Sequence, residues 1–225
     1  MLLWTIASAS DWGDDMDNAT HWDRVYVGKA NEELSWFQTG PDAGLEVLDR
    51  LSLPKDAPVI DIGGGGPSAF ALELLSRGFR DLTILDISEA GLARCLSRLG
   101  NHEGVVELIQ GDVRRFDPPR RYLLWHDRAT LHFLTDAKDQ QSYFAVLQRA
   151  VCCGGYVLIQ TFAPDGPRSC SGLEVAPWTP EELAAALGGG FAMVESLRHN
   201  HWTPRGKPQA FTICLFRNQS TGEHP

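Results

Sequence analysis

No stretch of this 225-residue chain approaches the ~20 consecutive apolar residues that cross a bilayer. Met1 to Ala9 is mildly apolar. It has no basic start and runs straight into Asp11, Asp14, Asp15 and Asp17, so it reads as a loose tail or weak lid rather than a secretory signal. Positive charge is also scarce. Twenty Lys and Arg against 29 Asp and Glu leave a net charge of −9, which excludes a general nucleic-acid surface. The short basic pairs Arg114-Arg115 and Arg120-Arg121 flank a Pro-Pro turn and read as a solvated loop. Cysteine is sparse, odd in number and irregularly spaced (95, 152, 153, 170 and 214), which excludes a disulfide framework and points to reduced thiols in the cytoplasm. The sequons at Asn18 and Asn218 are chance matches in that setting. His199 and His201, two apart and distant from a cysteine, do not make a metal spacing, and no metal is expected. There is no internal repeat and no low-complexity tract, so one well-filled core is expected.

Glycine, by contrast, is concentrated where it matters. Val59-Ile60-Asp61-Ile62 is an apolar strand that ends in four glycines, Gly63 to Gly66. Pro67-Ser68 and the helical pattern from Ala69 to Leu75 follow. A turn between a parallel strand and a helix needs glycine where φ is positive or where a ligand lies against the backbone. A second strand, Leu82 to Leu85, ends in Asp86, placed to accept hydrogen bonds from both hydroxyls of a ribose. Together these features point to an adenosine-containing cofactor. A nicotinamide dinucleotide fingerprint would put glycine at the sixth position, where Ser68 stands, and leaves Asp61 unexplained. S-adenosylmethionine (SAM) explains both.

The rest of the chain alternates strand and helix patterns. A helix from Pro41-Asp42 carries Leu45, Val47, Leu48 and Leu51 inward. Ser88 caps a helix that stops at Gly100-Asn101. Strands are expected at 105–109, 122–125 and 156–162, with a helix from Thr135 to about Val151. After a Pro- and Gly-rich loop, Thr179-Pro180-Glu181-Glu182 makes a capping box. The chain closes with strands at about 191–198 and 209–216, joined by His199 to Pro208. This order predicts an α/β fold with a parallel sheet, helices on both faces and a C-terminal antiparallel pair. The expected organisation is an N-terminal tail over 1–20, one domain over 21–217 and a C-terminal tail over 218–225.

The blocks His21-Trp22-Asp23-Arg24-Val25-Tyr26 with Trp36-Phe37, and Trp125-His126-Asp127-Arg128-Ala129 with His132-Phe133-Leu134, resemble those of small bacterial class I SAM-dependent methyltransferases. The resemblance implies a seven-stranded Rossmann-like sheet and SAM as cofactor. It implies that Asp61, Gly63 and Gly65 cradle the methionine end, Asp86 binds the ribose, and Ile87 packs on the adenine. Asp112 and Val113 would read the adenine edge, and His126 would line the cofactor near its sulfur. Trp22, Tyr26 and Trp36 would close over it, and Trp22, Trp36 and Trp125 could box a sulfonium cation. The sequence departs at Cys152-Cys153-Gly154-Gly155, where the family has a basic residue and proline before two glycines. Its four consecutive glycines also imply a looser turn.

Methyl transfer from a sulfonium is an in-line displacement that requires alignment and exclusion of water. Asp127 and His132, with His126, are candidates to touch the nucleophile. The bland reading makes Asp127-Arg128 a structural ion pair and His132 a packing residue. Arg128 and Cys170 are candidates for acceptor contact, Cys170 lying in the loop over the substrate entrance, against its reading as a small turn residue. The expected activity is methyl transfer to a small acceptor, a thiol or other soft nucleophile. The alternatives are a protein-lysine methyltransferase and a SAM-binding module without transfer activity. No nucleic-acid or membrane partner is expected, and the oligomeric state is open.

Overall fold

The computed structural model describes residues 4–6, 15–38, 43–66, 69–100 and 105–221. The expected helix start at Pro41-Asp42, the turn at Pro67-Ser68, Asn101 of the next helix stop and the end of the C-terminal tail lie outside the described residues, as do 1–3 and 7–14.

The elements in chain order are β1 (Trp4–Ile6), α1 (Asp15–Gly28), α2 (Ala43–Asp49), β2 (Val59–Ile62), α3 (Ala69–Ser76), β3 (Leu82–Asp86), α4 (Glu89–Leu99), β4 (Val106–Gln110) and β5 (Tyr122–Arg128). Then come α5 (Ala137–Ala150), β6 (Val151–Phe162), the small hairpin β7 (Ser169–Cys170) and β8 (Leu173–Glu174), α6 (Pro180–Leu187), β9 (Phe191–Trp202) and β10 (Pro208–Asn218). The main sheet runs β1-β4-β3-β2-β5-β6-β10-β9. It is parallel through β6 and antiparallel beyond it, because β10 inserts between β6 and β9. Seven of these strands are the expected ones. The eighth, β1, pairs in parallel with β4 at the edge, so the expected N-terminal tail contributes a strand and the start of α1.

The period-two alternation of the strands divides the core. Val59, Ile84, Leu108, Leu124 and Leu158 face one layer with Leu45, Phe70, Leu74 and Leu92 from α2, α3 and α4. Ile60, Ile62, Leu85, Ile109, Trp125 and Ile159 face the other, with Tyr143, Leu147 and Leu183 from α5 and α6. All four residues of β2 and all five of β3 are buried, as expected for strands covered on both faces. The caps set the helix entries. Ser88 Oγ accepts from the Gly91 amide at 2.9 Å, and Thr179 and Glu182 close the capping box of α6. At α5 the structure uses Asp136 rather than Thr135 as the cap, its carboxylate accepting from the Lys138 amide at 2.7 Å.

Three other expectations shift. Strand β5 continues through His126, Asp127 and Arg128, pairing Asp61 with His126 and Ile62 with Asp127. His132 sits in a short 3-10 turn, Leu131–Phe133, ahead of the helix expected from Thr135. The strands of the final hairpin are longer than expected, so His199 to Trp202 lie in β9 rather than in a loop. Cys152 to Gly155 bulge out of the β5–β6 ladder, since Tyr122 pairs with Val151 and Leu124 with Tyr156.

This topology places a switch between β2 and β5. The chain leaves β2 through β3 and β4 on one side, then crosses to β5 on the other. A crevice opens at the carboxyl ends of the strands at such a point.

Candidate functional site

A cavity with about 1050 Å³ of empty volume, its open mouth included, lies in this crevice. Gly63, the first residue of the glycine turn, lines it. Gly63 has φ 66, donates its amide to Leu85 O at 2.7 Å, and leaves no room for a Cβ, which would lie 2.0 Å from Thr130 Oγ1. Gly65 is constrained as tightly: its amide donates to Asp86 Oδ2 at 2.8 Å, and a Cβ would lie 2.5 Å from the same oxygen. The four-glycine run is therefore not a loose version of the turn. Each glycine is pressed against a side chain of this protein: Thr130, Asp61, Asp86 and Tyr26 in turn.

Asp86 caps the other side of that turn, accepting from Ser88 N at 2.8 Å through Oδ1. Burial raises its carboxyl to about 6, and the two backbone amides restrain the rise. Beside it the wall is apolar, formed by Leu85, Ile87 and Val113. A carboxylate next to such a shelf fits a ribose and the flat base joined to it. Asp112 follows β4 and also lines the cavity. Its carboxylate is held by the Arg114 side chain, which reaches on to Asp139 at 2.6 Å.

The N-terminal block closes the roof. Asp23 Oδ1 on α1 accepts from Ser88 Oγ at 2.6 Å and from the Ala90 amide at 3.1 Å, which latches α1 to the start of α4. Tyr26 donates to Gly65 O at 3.3 Å, and Trp22, Tyr26 and Trp36 pack together, all three lining the cavity. Trp125 is not with them. It lies in the core against α5, donating to Tyr143 Oη at 3.1 Å, and so takes no part in an aromatic box.

A second, smaller cavity of about 460 Å³ adjoins the first under the glycine turn. It is lined by Asp61, Gly63, Gly64, Gly65, Phe70, His126 and Arg128, among others. His126 is held on every side here. Its ring stacks on Phe70 at 3.5 Å, Nδ1 lies 2.7 Å from Asp61 Oδ1, and Nε2 lies 3.0 Å from Gln160 Nε2. An acid on one nitrogen and an amide donor on the other select the Nδ1–H tautomer. Arg128 stands at the junction of the two cavities, donating to Trp36 O at 3.3 Å and Gln38 Oε1 at 3.1 Å, with its guanidinium over Phe211.

Two of the expected catalytic residues line neither cavity. Asp127 has no exposed surface and does not line either cavity. Its carboxylate accepts from Tyr143 Oη at 2.7 Å, the Thr130 amide at 2.9 Å and the Leu131 amide at 3.4 Å, so it fixes the turn that follows β5. Strand alternation is the cause: His126 and Arg128 share one face, and Asp127 points to the other. His132 is also fully buried, stacked face to face on Phe162 at 4.1 Å, with neither ring nitrogen partnered. Burial, with Arg128 nearby, pushes it down to about 3, so it stays neutral at working pH. A neutral ring sealed behind Phe162 has no path to a nucleophile. Replacing His132 by phenylalanine is expected to raise stability by about 1–2 kcal/mol, since two unsatisfied nitrogens are removed and the stack is kept. Thermal melting checks this; a lower melting temperature would return His132 to a functional role.

Cys170 does line the larger cavity, its Sγ 3.6 Å from Ser35 Oγ. The sequence reading missed several neighbours: Ser35, Thr130, Phe162, Leu173, Gln209 and Phe211. Phe162 was accessible to the strand-tip rule that selected Asp86. Phe211 and Gln209 carry no local signal. They reach the site only because β10 inserts beside β6, pairing Phe211 with Phe162.

No family model matches the chain. In sequence it is similar to EEF1A lysine methyltransferase 2 of Mus musculus, 28% identical over 197 residues that cover 79% of this chain and 72% of that protein. In structure it is similar to a protein solved in work on the conversion of a disulfide bond into a thioacetal group during echinomycin biosynthesis. That match has TM-score 0.70 and 17% identity, over 89% of this chain and 92% of that one. A SAM-dependent methyltransferase from Anabaena variabilis matches at TM-score 0.70 and 13% identity, over 95% of this chain and 100% of that one. The 1,6-didemethyltoxoflavin-N1-methyltransferase of Burkholderia thailandensis, solved with S-adenosylhomocysteine, matches at TM-score 0.65 and 20% identity, over 92% and 86%. The chain therefore has the fold of SAM-dependent methyltransferases.

Proposed function

We propose that this chain is a SAM-dependent methyltransferase that acts on a small acceptor through a soft nucleophile, and that it works in the reducing cytoplasm, which suits five unpaired cysteines. One observation carries the reading. A single cavity runs from a buried carboxylate beside an apolar shelf, Asp86 with Ile87 and Val113, to a wall of aromatic side chains across the switch point. Asp61 and the glycine turn line the smaller cavity that adjoins it, where a methionine moiety would lie.

SAM supplies an activated methyl group on a sulfonium. The protein's own contribution is binding and enclosure. Asp86 would hold the ribose, Ile87 and Val113 the adenine, and Asp61 with the glycine turn the amino-acid end next to His126. Asp112 would add an acceptor at the adenine edge while it stays paired with Arg114. Trp22, Tyr26 and Trp36 would exclude water and face the cation with π-electron density. Rate acceleration would then come from alignment, for which a general base is not required.

A second reading is favoured by the mouse relative, whose name assigns it a lysine acceptor. Incubation of the full chain with methyl-labelled SAM and a cell lysate separates the two. Label in low-mass or volatile products is the expected result, and label confined to a protein band supports the lysine reading. Calorimetry supplies the more basic check: heat with S-adenosylhomocysteine and none with NADH is expected, and the reverse would remove the proposal altogether.

A further inference from the structure

We propose that the acceptor half of the cavity takes an aromatic molecule whose nucleophile is already anionic at neutral pH, an acidic aryl thiol, and that it rejects alkylammonium acceptors. This rests on the methyltransferase reading above. The sheet order divides the cavity wall by charge. Its two carboxylates, Asp86 and Asp112, belong to the β3 and β4 side of the glycine turn. On the β5, β6 and β10 side, the described wall is Phe133, Phe162, Leu173 and Phe211, with Arg128, Thr130, Cys170 and Gln209 as its polar groups. It holds neither a carboxylate nor an imidazole.

The nearby candidates for a base are closed off. Asp127 spends its oxygens on Tyr143, Thr130 and Leu131, His132 is enclosed behind Phe162, and His126, on the adjoining cavity, has Nδ1 on Asp61 Oδ1 and Nε2 on the Gln160 amide. A nucleophile entering this half must arrive with its lone pair free. An alkylammonium, with a pKa near 10.4, is about 0.1% unprotonated at pH 7.4, and no group here removes its proton or pairs with its charge. An aryl thiol meets both conditions. Its ring fits among Phe133, Phe162 and Phe211, of which Phe162 and Phe211 meet edge to face with centroids 4.8 Å apart. Its thiolate fits beside the Arg128 guanidinium, whose Cζ lies 5.5 Å from the Phe211 centroid.

The step balances without a further reactant. The thiol gives its proton to solvent, and the thiolate sulfur then forms a bond to the methyl carbon of SAM. The sulfonium–methyl bond breaks, and its electron pair stays on sulfur in S-adenosylhomocysteine, leaving a neutral aryl methyl thioether.

The test uses the full chain, first titrated with S-adenosylhomocysteine. Absence of that binding would defeat the methyltransferase reading itself. The loaded protein is then titrated with thiophenol and with benzylamine at pH 7.5. Thiophenol is expected to bind at least tenfold more tightly, and equal or weaker binding overturns the inference. Leu173→Asp, on the partly exposed β7–β8 hairpin, adds a carboxylate to this wall. It is expected to weaken thiophenol binding at least tenfold and leave S-adenosylhomocysteine affinity unchanged; unaltered thiophenol binding overturns the placement. With SAM, the acidic limb of kcat/KM should follow the thiol's own pKa between thiophenol and 4-nitrothiophenol. Preferential methylation of benzylamine or of a lysine peptide would also overturn it.

Discussion

Replacing Asp86 by alanine is expected to weaken S-adenosylhomocysteine binding at least a hundredfold, about 2.8 kcal/mol. The carboxylate has two tasks in this geometry. It accepts from the Gly65 and Ser88 amides, each at 2.8 Å, and so fixes the glycine turn against β3. Asp86 also lines the cavity, where its remaining lone pairs would accept from the ribose hydroxyls. Alanine removes the ligand contacts and leaves two buried amides unpaired, so a fall in melting temperature should accompany the loss of affinity. Asp86→Asn separates the tasks: its single amide oxygen can keep one amide partner but not the full set of acceptors. The pH dependence follows from the carboxyl lying at about 6. The charged form is the one that accepts, so affinity should rise between pH 5 and pH 7 and level off above. Calorimetry across that range checks both statements. Unchanged affinity in the alanine variant would mean that the adenosine lies elsewhere.

The parallel part of the sheet was legible because its strands are short, largely apolar and punctuated. Val59 to Ile62 and Leu82 to Asp86 are bounded by glycine or by a capping serine, and their burial leaves them no other role. The residues assigned to an adenosine, Asp86, Ile87, Asp112 and Val113, meet in one cavity for the same reason, since each sits within a few positions of a strand tip. Alternation within β5 was harder to read. The Trp125-His126-Asp127-Arg128 run looked like one functional cluster, but strand geometry sends Trp125 and Asp127 to the α5 layer and His126 and Arg128 to the smaller cavity. Ending the strand at Trp125 hid that alternation. The acceptor wall was hardest of all. It joins Ser35, Cys170 and Phe211, and these meet only through long-range packing: His201 Nε2 lies 2.8 Å from Ser35 O, tying β9 to the N-terminal block. The edge strand β1 was missed because three residues beside acidic chain carry too little pattern to distinguish a strand from a tail.

Removing Asp127 should damage the fold rather than the chemistry. The Asp127→Ala variant leaves Tyr143 Oη, the Thr130 amide and the Leu131 amide without their acceptor, all in or beside the core. A loss of about 2–4 kcal/mol is expected, the relief of a desolvated charge offsetting part of the broken network. Thr130 is the link to the site, since its hydroxyl donates to Ile62 O at 3.1 Å and packs on Gly63. Cofactor affinity should therefore fall modestly and in step with stability. The Asp127→Asn variant keeps an acceptor for Thr130 and should lose less. Burial raises Asp127, like Asp86, to about 6, above the ~3.9 of an unfolded chain. Between those values the folded state binds more protons than the unfolded state. The contribution of both groups is thus complete below pH 4, declines as pH rises toward 6, and is gone above it. Asp127→Asn should flatten that decline in urea-unfolding free energies measured from pH 4 to pH 7. Unaltered pH dependence together with a large loss of turnover at full stability would restore Asp127 to the chemistry.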